Sequence, residues 1–143
     1  GLSGVAKWYG GVLAPNGKIY GVPFNSSSVL IIDPATNTAD TTSIIGLSGT
    51  LKWEGGALSP DGRIYCVPRD ASSVLIIDPA TDTADTTTIT GLDGSQKWAG
   101  GVAAPNGKIY GVPAASDSVL IIDPKAVGGY GSNLLMCAYL NNF

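Results

Sequence analysis

No histidine occurs among the 143 residues, and that absence excludes a good deal of chemistry. Imidazole triads and imidazole acid–base catalysis are ruled out, and so is the commonest metal ligand. Glutamate occurs once, as Glu54, and neither cysteine has a histidine to activate its thiol. Charged residues are scarce at 13%, and the net charge of −3 is scattered along the chain. There is no Lys/Arg cluster to provide the basic footprint that nucleic acid requires. No apolar stretch approaches the roughly 20 residues of a membrane-spanning helix. No segment keeps a helical period, and no glycine-rich phosphate loop is present. The first residues, Gly-Leu-Ser-Gly, lack the charged-then-apolar pattern of a signal peptide. No cofactor or metal site is expected, and the expectation is a protein that is not an enzyme.

What the chain has in abundance is repetition. Lys-Trp falls at Lys7-Trp8, Lys52-Trp53 and Lys97-Trp98. Ser-Val-Leu-Ile-Ile-Asp-Pro falls at Ser28–Pro34, Ser73–Pro79 and Ser118–Pro124, with the same step of 45 residues. Units 1–45 and 46–90 agree at 31 of 45 positions, and the third unit agrees with the first at 26 of its first 34. Such a period marks one supersecondary unit that buries its apolar face against copies of itself. The expected organisation is one repeat domain, 1–143, made of units 1–45, 46–90 and 91–135, with a divergent tail over 125–143.

Within unit one, Gly10–Ala14 reads as a strand and Asn16-Gly17 as a tight hairpin turn with both central residues at φ > 0. Lys18–Val22 is a second strand, stopped by Pro23. Val29–Ile32 is a third, and Ala39–Ile45 a fourth. The third strand is apolar at every position, so both of its faces should be buried. Blades of a β-propeller meet that need because each sheet is packed between two neighbours. A trefoil or prism is the alternative, but its strands should alternate. Gly10-Gly11 suits an innermost strand, where blades converge. The expected fold is therefore all-β, with three four-stranded antiparallel propeller blades.

Ser59-Pro60-Asp61-Gly62-Arg63-Ile64-Tyr65, followed by Ser73-Val74-Leu75-Ile76-Ile77-Asp78-Pro79-Ala80-Thr81-Asp82-Thr83, resembles a propeller repeat of the YVTN type. Kelch-like and NHL-like blades are more distant. The Lys-Trp-x-Gly-Gly pattern also resembles repeat proteins predicted in algae and other protists. The resemblance implies a propeller and no particular activity. The number of units departs from that pattern, since propellers typically close with four to eight blades. A second chain, giving three plus three, is expected to complete the ring; a longer array is the alternative. The tail 133–140 reads as a replacement fourth strand or a docking segment.

Candidate sites follow from the repeats. Lys7, Trp8, Lys52, Trp53, Lys97 and Trp98 should recur on one face, either as cation–aromatic binding platforms or as packing between blades. Phe24 and Arg69 occupy a position that varies from unit to unit and are of types enriched at interface hot spots. Asp33, Asp78 and Asp123 read as turn-fixing residues, and a calcium set of Asp78, Asp82 and Asp85 lacks a known loop spacing. Asn25-Ser26-Ser27 is a formal glycosylation match. Cys66 stands where the other units have glycine, so the two cysteines are either unrelated thiols or a bridge from Cys66 to Cys137. The expected function is a non-catalytic interaction scaffold or accessory subunit, with a protein partner or a second copy of the chain. A carbohydrate-binding module using the Lys-Trp face comes next, and a lactonase-like hydrolase last. A secreted, cell-surface or luminal setting is expected over the cytoplasm.

Overall fold

The computed structural model describes residues 2–127 and 137–140, the last four as backbone. Among the described residues the chain forms three four-stranded antiparallel sheets. Blade 1 is β1 (Trp8–Leu13), β2 (Ile19–Pro23), β3 (Leu30–Asp33) and β4 (Thr38–Asp40). Blade 2 is β5 (Trp53–Leu58), β6 (Ile64–Pro68), β7 (Leu75–Asp78) and β8 (Thr83–Asp85). Blade 3 is β9 (Trp98–Ala103), β10 (Ile109–Pro113) and β11 (Val119–Ile122), then a short helix α1 (Pro124–Val127) and β12 (Cys137–Leu140). Each sheet is a meander, with strands paired in chain order.

β12 settles the alternative left open for the tail. It pairs antiparallel with β11, Ile122 opposite Cys137 and Val119 opposite Leu140, and so takes the fourth place in blade 3. The rest of the stretch read as its replacement strand, 133–136, lies outside the described residues.

First strands of neighbouring blades touch, β1 against β5 and β5 against β9, so the sheets fan out from them. Glycine permits this approach. A Cβ on Gly55 would lie 2.7 Å from the Cα of Gly100, and Gly55 also sits at φ +76°. The register slips between Trp53 and Gly56, as it does between Trp8 and Gly11, which marks a bulge at this glycine.

Two apolar cores lie in the two seams. Tyr20, Val22, Val29 and Ile31 of blade 1 meet Ile64, Cys66, Leu75 and Ile77 of blade 2. Tyr65, Val67, Val74 and Ile76 of blade 2 meet Ile109, Leu120 and Ile122 of blade 3. The middle blade is thus buried on both faces, as its unbroken apolar strand requires. The outer blades are not: Leu30 and Ile32 are half-buried on one side, Val119 and Ile121 on the other.

Two strand-level expectations are corrected. The hairpin turn is not of the type with two positive φ values. Of Asn16 and Gly17 only Gly17 is positive, at 81°, because the turn that closes is Ala14–Gly17, with Asn16 and Pro15, whose ring fixes a negative φ, at its centre. Gly17 N–H donates to Ala14 O at 3.0 Å and Ala14 N–H to Lys18 O at 2.9 Å, giving a longer turn that ends in a left-handed glycine. The fourth strand also stops at Asp40 instead of running to Ile45. The Asp40 carboxylate accepts from Thr42 N–H at 2.7 Å and from the hydroxyls of Thr42 and Ser43, which bends the chain out of the sheet. Asp85 repeats this with Thr87 and Thr88.

Candidate functional site

The Lys-Trp pairs open the first strand of every blade. Each indole N–H donates to a backbone carbonyl just before the third strand: Trp8 to Ser28 O at 2.8 Å, Trp53 to Ser73 O at 2.8 Å and Trp98 to Ser118 O at 2.7 Å. The indole therefore ties the two ends of its own blade together. Trp53 and Trp98 are buried. Trp8, with no blade in front of it, keeps partial access to solvent.

The lysines work across the seams. Lys52 Nζ donates to Phe24 O, Ser26 O and Gly49 O at 3.2, 2.8 and 2.9 Å. Lys97 Nζ donates to Arg69 O, Ala71 O and Gly94 O at 2.9, 3.0 and 2.7 Å. Each ammonium thus clamps two carbonyls of the preceding blade and one of its own linker. Burial pushes both lysine pKa values down. Lys7 differs: it lies 4.5 Å from the centre of the Trp8 ring, and its ammonium finds no hydrogen-bond acceptor among the described residues.

Phe24 and Arg69 come together. The Arg69 guanidinium sits 5.4 Å from the centre of the Phe24 ring, across the seam between blades 1 and 2. Each has a partner within its own blade. Tyr9 packs on Phe24 with ring centres 5.3 Å apart, and Glu54 pairs with Arg69 at 3.1 Å. The corresponding residues of blade 3 are Ala99 and Ala114. The position after each Trp and the position opening the next loop therefore vary together: aromatic with aromatic, acid with base, small with small. Sequence reasoning singled out the loop position of Phe24 and Arg69 but missed its pairing with the residue after each Trp. Its signal was the joint change of Tyr9 and Phe24 to Glu54 and Arg69.

The remaining candidates have structural partners. Asp33, Asp78 and Asp123 each accept a backbone N–H two residues on, at 2.9, 3.0 and 3.1 Å, as turn fixers should. Asp78 also pairs with Arg63 at 3.3 Å. Asp82 accepts the Tyr20 hydroxyl at 2.5 Å, a bond between blades that, after burial, helps push the tyrosine pKa up to about 12. Tyr65 is raised likewise by burial, then by its bond to Asp61. Among the described residues no acidic or sulfur-bearing set gathers at metal-binding distance. Asn25 accepts Leu51 N–H at 2.9 Å and is occupied as a seam contact. Cys66 is a free thiol, fully buried, and burial raises its pKa; the side chain of Cys137 lies outside the described residues.

No protein-family model and no curated sequence matches the chain. Solved structures do. Virginiamycin B lyase from Staphylococcus aureus superposes over 97% of this chain and 43% of its own, with a TM-score of 0.71 at 15% identity. Hydrazine synthase from Kuenenia stuttgartiensis aligns over 87% of this chain and 35% of its own, TM-score 0.64, 17% identity. The extracellular domain of a one-component system from B. thetaiotaomicron aligns over 86% of this chain and 16% of its own, TM-score 0.63, 16% identity. The fold is thus that of a propeller arc with three blades. The chain spans less than half the length of each of these neighbours, and at such identities the likeness extends to the fold alone.

Proposed function

We propose that this chain is a non-catalytic interaction module of the propeller type, a scaffold or accessory subunit. Blades from outside these residues, in the first instance those of a second chain, complete its ring. The observation that carries this reading is the rim of paired, blade-specific residues. Tyr9 exposes an aromatic ring over the buried Phe24, and the partly buried Glu54 and Arg69 set an acid and a base beside it, on a frame that is otherwise constant. Surfaces that vary on a fixed frame are where repeat proteins carry recognition. Aromatics and arginine also concentrate binding energy at interfaces. A setting at the cell surface or beyond it agrees with the extracellular neighbour.

The test is a capture experiment with two baits, followed by reconstitution. A partner retained by the wild-type chain should be lost by the double variant Tyr9→Ala/Arg69→Ala, which leaves the buried Phe24 in place, and the purified pair should bind with the same difference. Equal binding to both baits overturns the assignment of this rim.

Carbohydrate binding is the second reading. Its support is a groove of about 340 Å³ lined by Lys52, Trp53, Asp70, Ser72, Ser73 and Thr50, an indole beside hydroxyl and carboxylate groups. A glycan array decides it: retention that disappears with Asp70→Ala favours this reading over the first. A hydrolase of lactonase type stands third, and turnover of lactones by the purified chain would bring it forward.

A further inference from the structure

The two internal seams are copies of one another, and the two outer faces are the halves of a third. On blade 3, Val112 is 51% exposed, whereas its equivalents Val22 and Val67 are fully buried. Ahead of blade 1, Leu2 is 56% exposed, whereas its equivalents Leu47 and Leu92 are 9% and 3% exposed. The polar groups are halved in the same way. Lys52 and Lys97 each clamp two carbonyls of the preceding blade, at Phe24 and Ser26 or at Arg69 and Ala71. Lys7 has no preceding blade and no acceptor for its ammonium among the described residues. At the far end, no described residue donates to the corresponding carbonyls, Ala114 O and Ser116 O. Asn106 already donates to the Tyr110 hydroxyl at 2.9 Å, as Asn16 does to Tyr20 at 3.0 Å. In the seam between blades 1 and 2 that arrangement continues, with Asn16 donating to Pro79 O at 2.9 Å.

We propose that a second copy of this chain closes the ring, its blade 1 seated on blade 3 of the first in the register of the internal seams, so that its Lys7 ammonium takes the carbonyls of Ala114 and Ser116. This deepens the ring-completion reading above and rests on it. The occupant is specified by the repeat: the face that covers Val22 and Val67 belongs to a following blade whose strands read Ile-Tyr and Leu-Ile-Ile, and blade 1 carries them. One face type meets the other, so the contact is heterologous and closes only as a cycle. Each copy of the 143-residue chain brings three blades. Within the four-to-eight range of closed propellers, one copy brings too few and three bring too many. Two copies remain, with Lys7 of each completing the other.

One position makes the new seam weaker than the internal ones. Asn25 and Asp70 accept the N–H of Leu51 and Gln96 across their seams, at 2.9 and 2.7 Å. Their equivalent in blade 3 is Ala115, which offers no acceptor to the N–H of Ala6 in the second copy.

The experiment is light scattering on the 143-residue chain across micromolar concentrations. Twice 14.5 kDa is the expected mass. Val112→Glu places an unpaired charge in the seam and should weaken pairing by more than about a hundredfold while leaving the circular dichroism unchanged. Lys7→Ala should weaken it about tenfold or more per seam, and Ala115→Asn should tighten it about fivefold per seam, the effect of one recovered backbone bond. Should Val112→Glu fail to fold, the Lys7 and Ala115 variants carry the test alone. The mass of one chain, 14.5 kDa, at every concentration, a multiple other than two, or pairing unchanged by Lys7→Ala and Ala115→Asn overturns the proposal. A solitary wild-type chain leaves the rim assignment standing, since that is read by the Tyr9/Arg69 baits.

Discussion

The middle blade and the two outer blades hold the same Val-Leu-Ile-Ile strand in different surroundings. In blade 2 all four residues, Val74 to Ile77, are buried. In blade 1 burial falls on Val29 and Ile31, and in blade 3 on Leu120 and Ile122, the opposite face. An alternating strand would suit one packed face, and an unbroken one suits two. The outer blades therefore each leave one apolar face of this strand partly open to solvent. The lysines repeat the contrast in polar form, Lys52 and Lys97 clamped and Lys7 waiting.

The largest effect expected from this contrast is at the third strand. Leu75→Ala removes a fully buried side chain from a packed seam and should cost roughly 2–5 kcal/mol in urea unfolding. Leu30→Ala, at the half-buried equivalent in blade 1, should cost about 1 kcal/mol while the chain is single. The Val112→Glu background keeps it single, so the full gap should appear there. In the wild-type pair the gap should close, because Leu30 is then covered. A gap unaffected by pairing would show that blade 1 is not the face being covered.

Next in size is the clamp. Lys52→Met retains the aliphatic stem and the backbone N–H that Phe24 O accepts, but takes the ammonium from the carbonyls of Ser26 and Gly49, and should cost about 1–3 kcal/mol. Lys7→Met in the single chain should fall within about 0.5 kcal/mol of wild type, as surface substitutions do. Equal losses at both positions would mean that Lys7 holds a structural role inside its own blade.

Much of the fold was legible because a repeat exposes its own rules. The apolar third strand, the paired glycines and the tryptophan at each blade entrance all fix packing through side-chain size, which a sequence states directly. The turns were harder. Asn16-Gly17 satisfies a two-residue hairpin, but Pro15 before it constrains φ and lengthens the turn. Ala39–Ile45 has the composition of a strand, yet the Asp40 carboxylate competes for the backbone and wins. The role of the lysines was left open for a different reason. Charge normally signals a solvated surface, and the acceptors that Lys52 uses lie 26 and 28 residues away on another blade. Only the constancy of lysine before each Trp hinted at a structural duty.

A smaller effect sharpens the seam between blades 1 and 2 through pH. Tyr20 is buried there against Asp82, and its folded pKa is about 12 against an ordinary 10. A raised pKa stabilises the fold fully below the unfolded value. That contribution is lost as pH rises from about 10 through about 12, where the unfolded chain ionises first. Alkaline titration of stability should therefore show a fall in this window, reduced in Tyr20→Phe. A profile identical in the two proteins would place the alkaline transition elsewhere.

The smallest expected effect lies outside the seams, at the bend that ends the fourth strand. Hydrogen bonds from Ser43 and Thr42 pull the Asp40 pKa down to about 2, and Asp85 is lowered by its own hydroxyl and backbone donors. A depressed carboxylate contributes stability above its unfolded pKa, near 3.8, and loses it as pH falls through the folded value. Stability should be flat above about pH 4 and decline from there toward about pH 2. Asp40→Asn should flatten part of that decline, because the amide still accepts a hydrogen bond but does not titrate. The bend is formed by blade 1 alone, so pairing should leave this acid profile unchanged while it alters the cost of Leu30→Ala. If the acid profile instead moves with pairing, the bend at Asp40 is coupled to the outer face of blade 1, and the separation of seam from rim fails at that point.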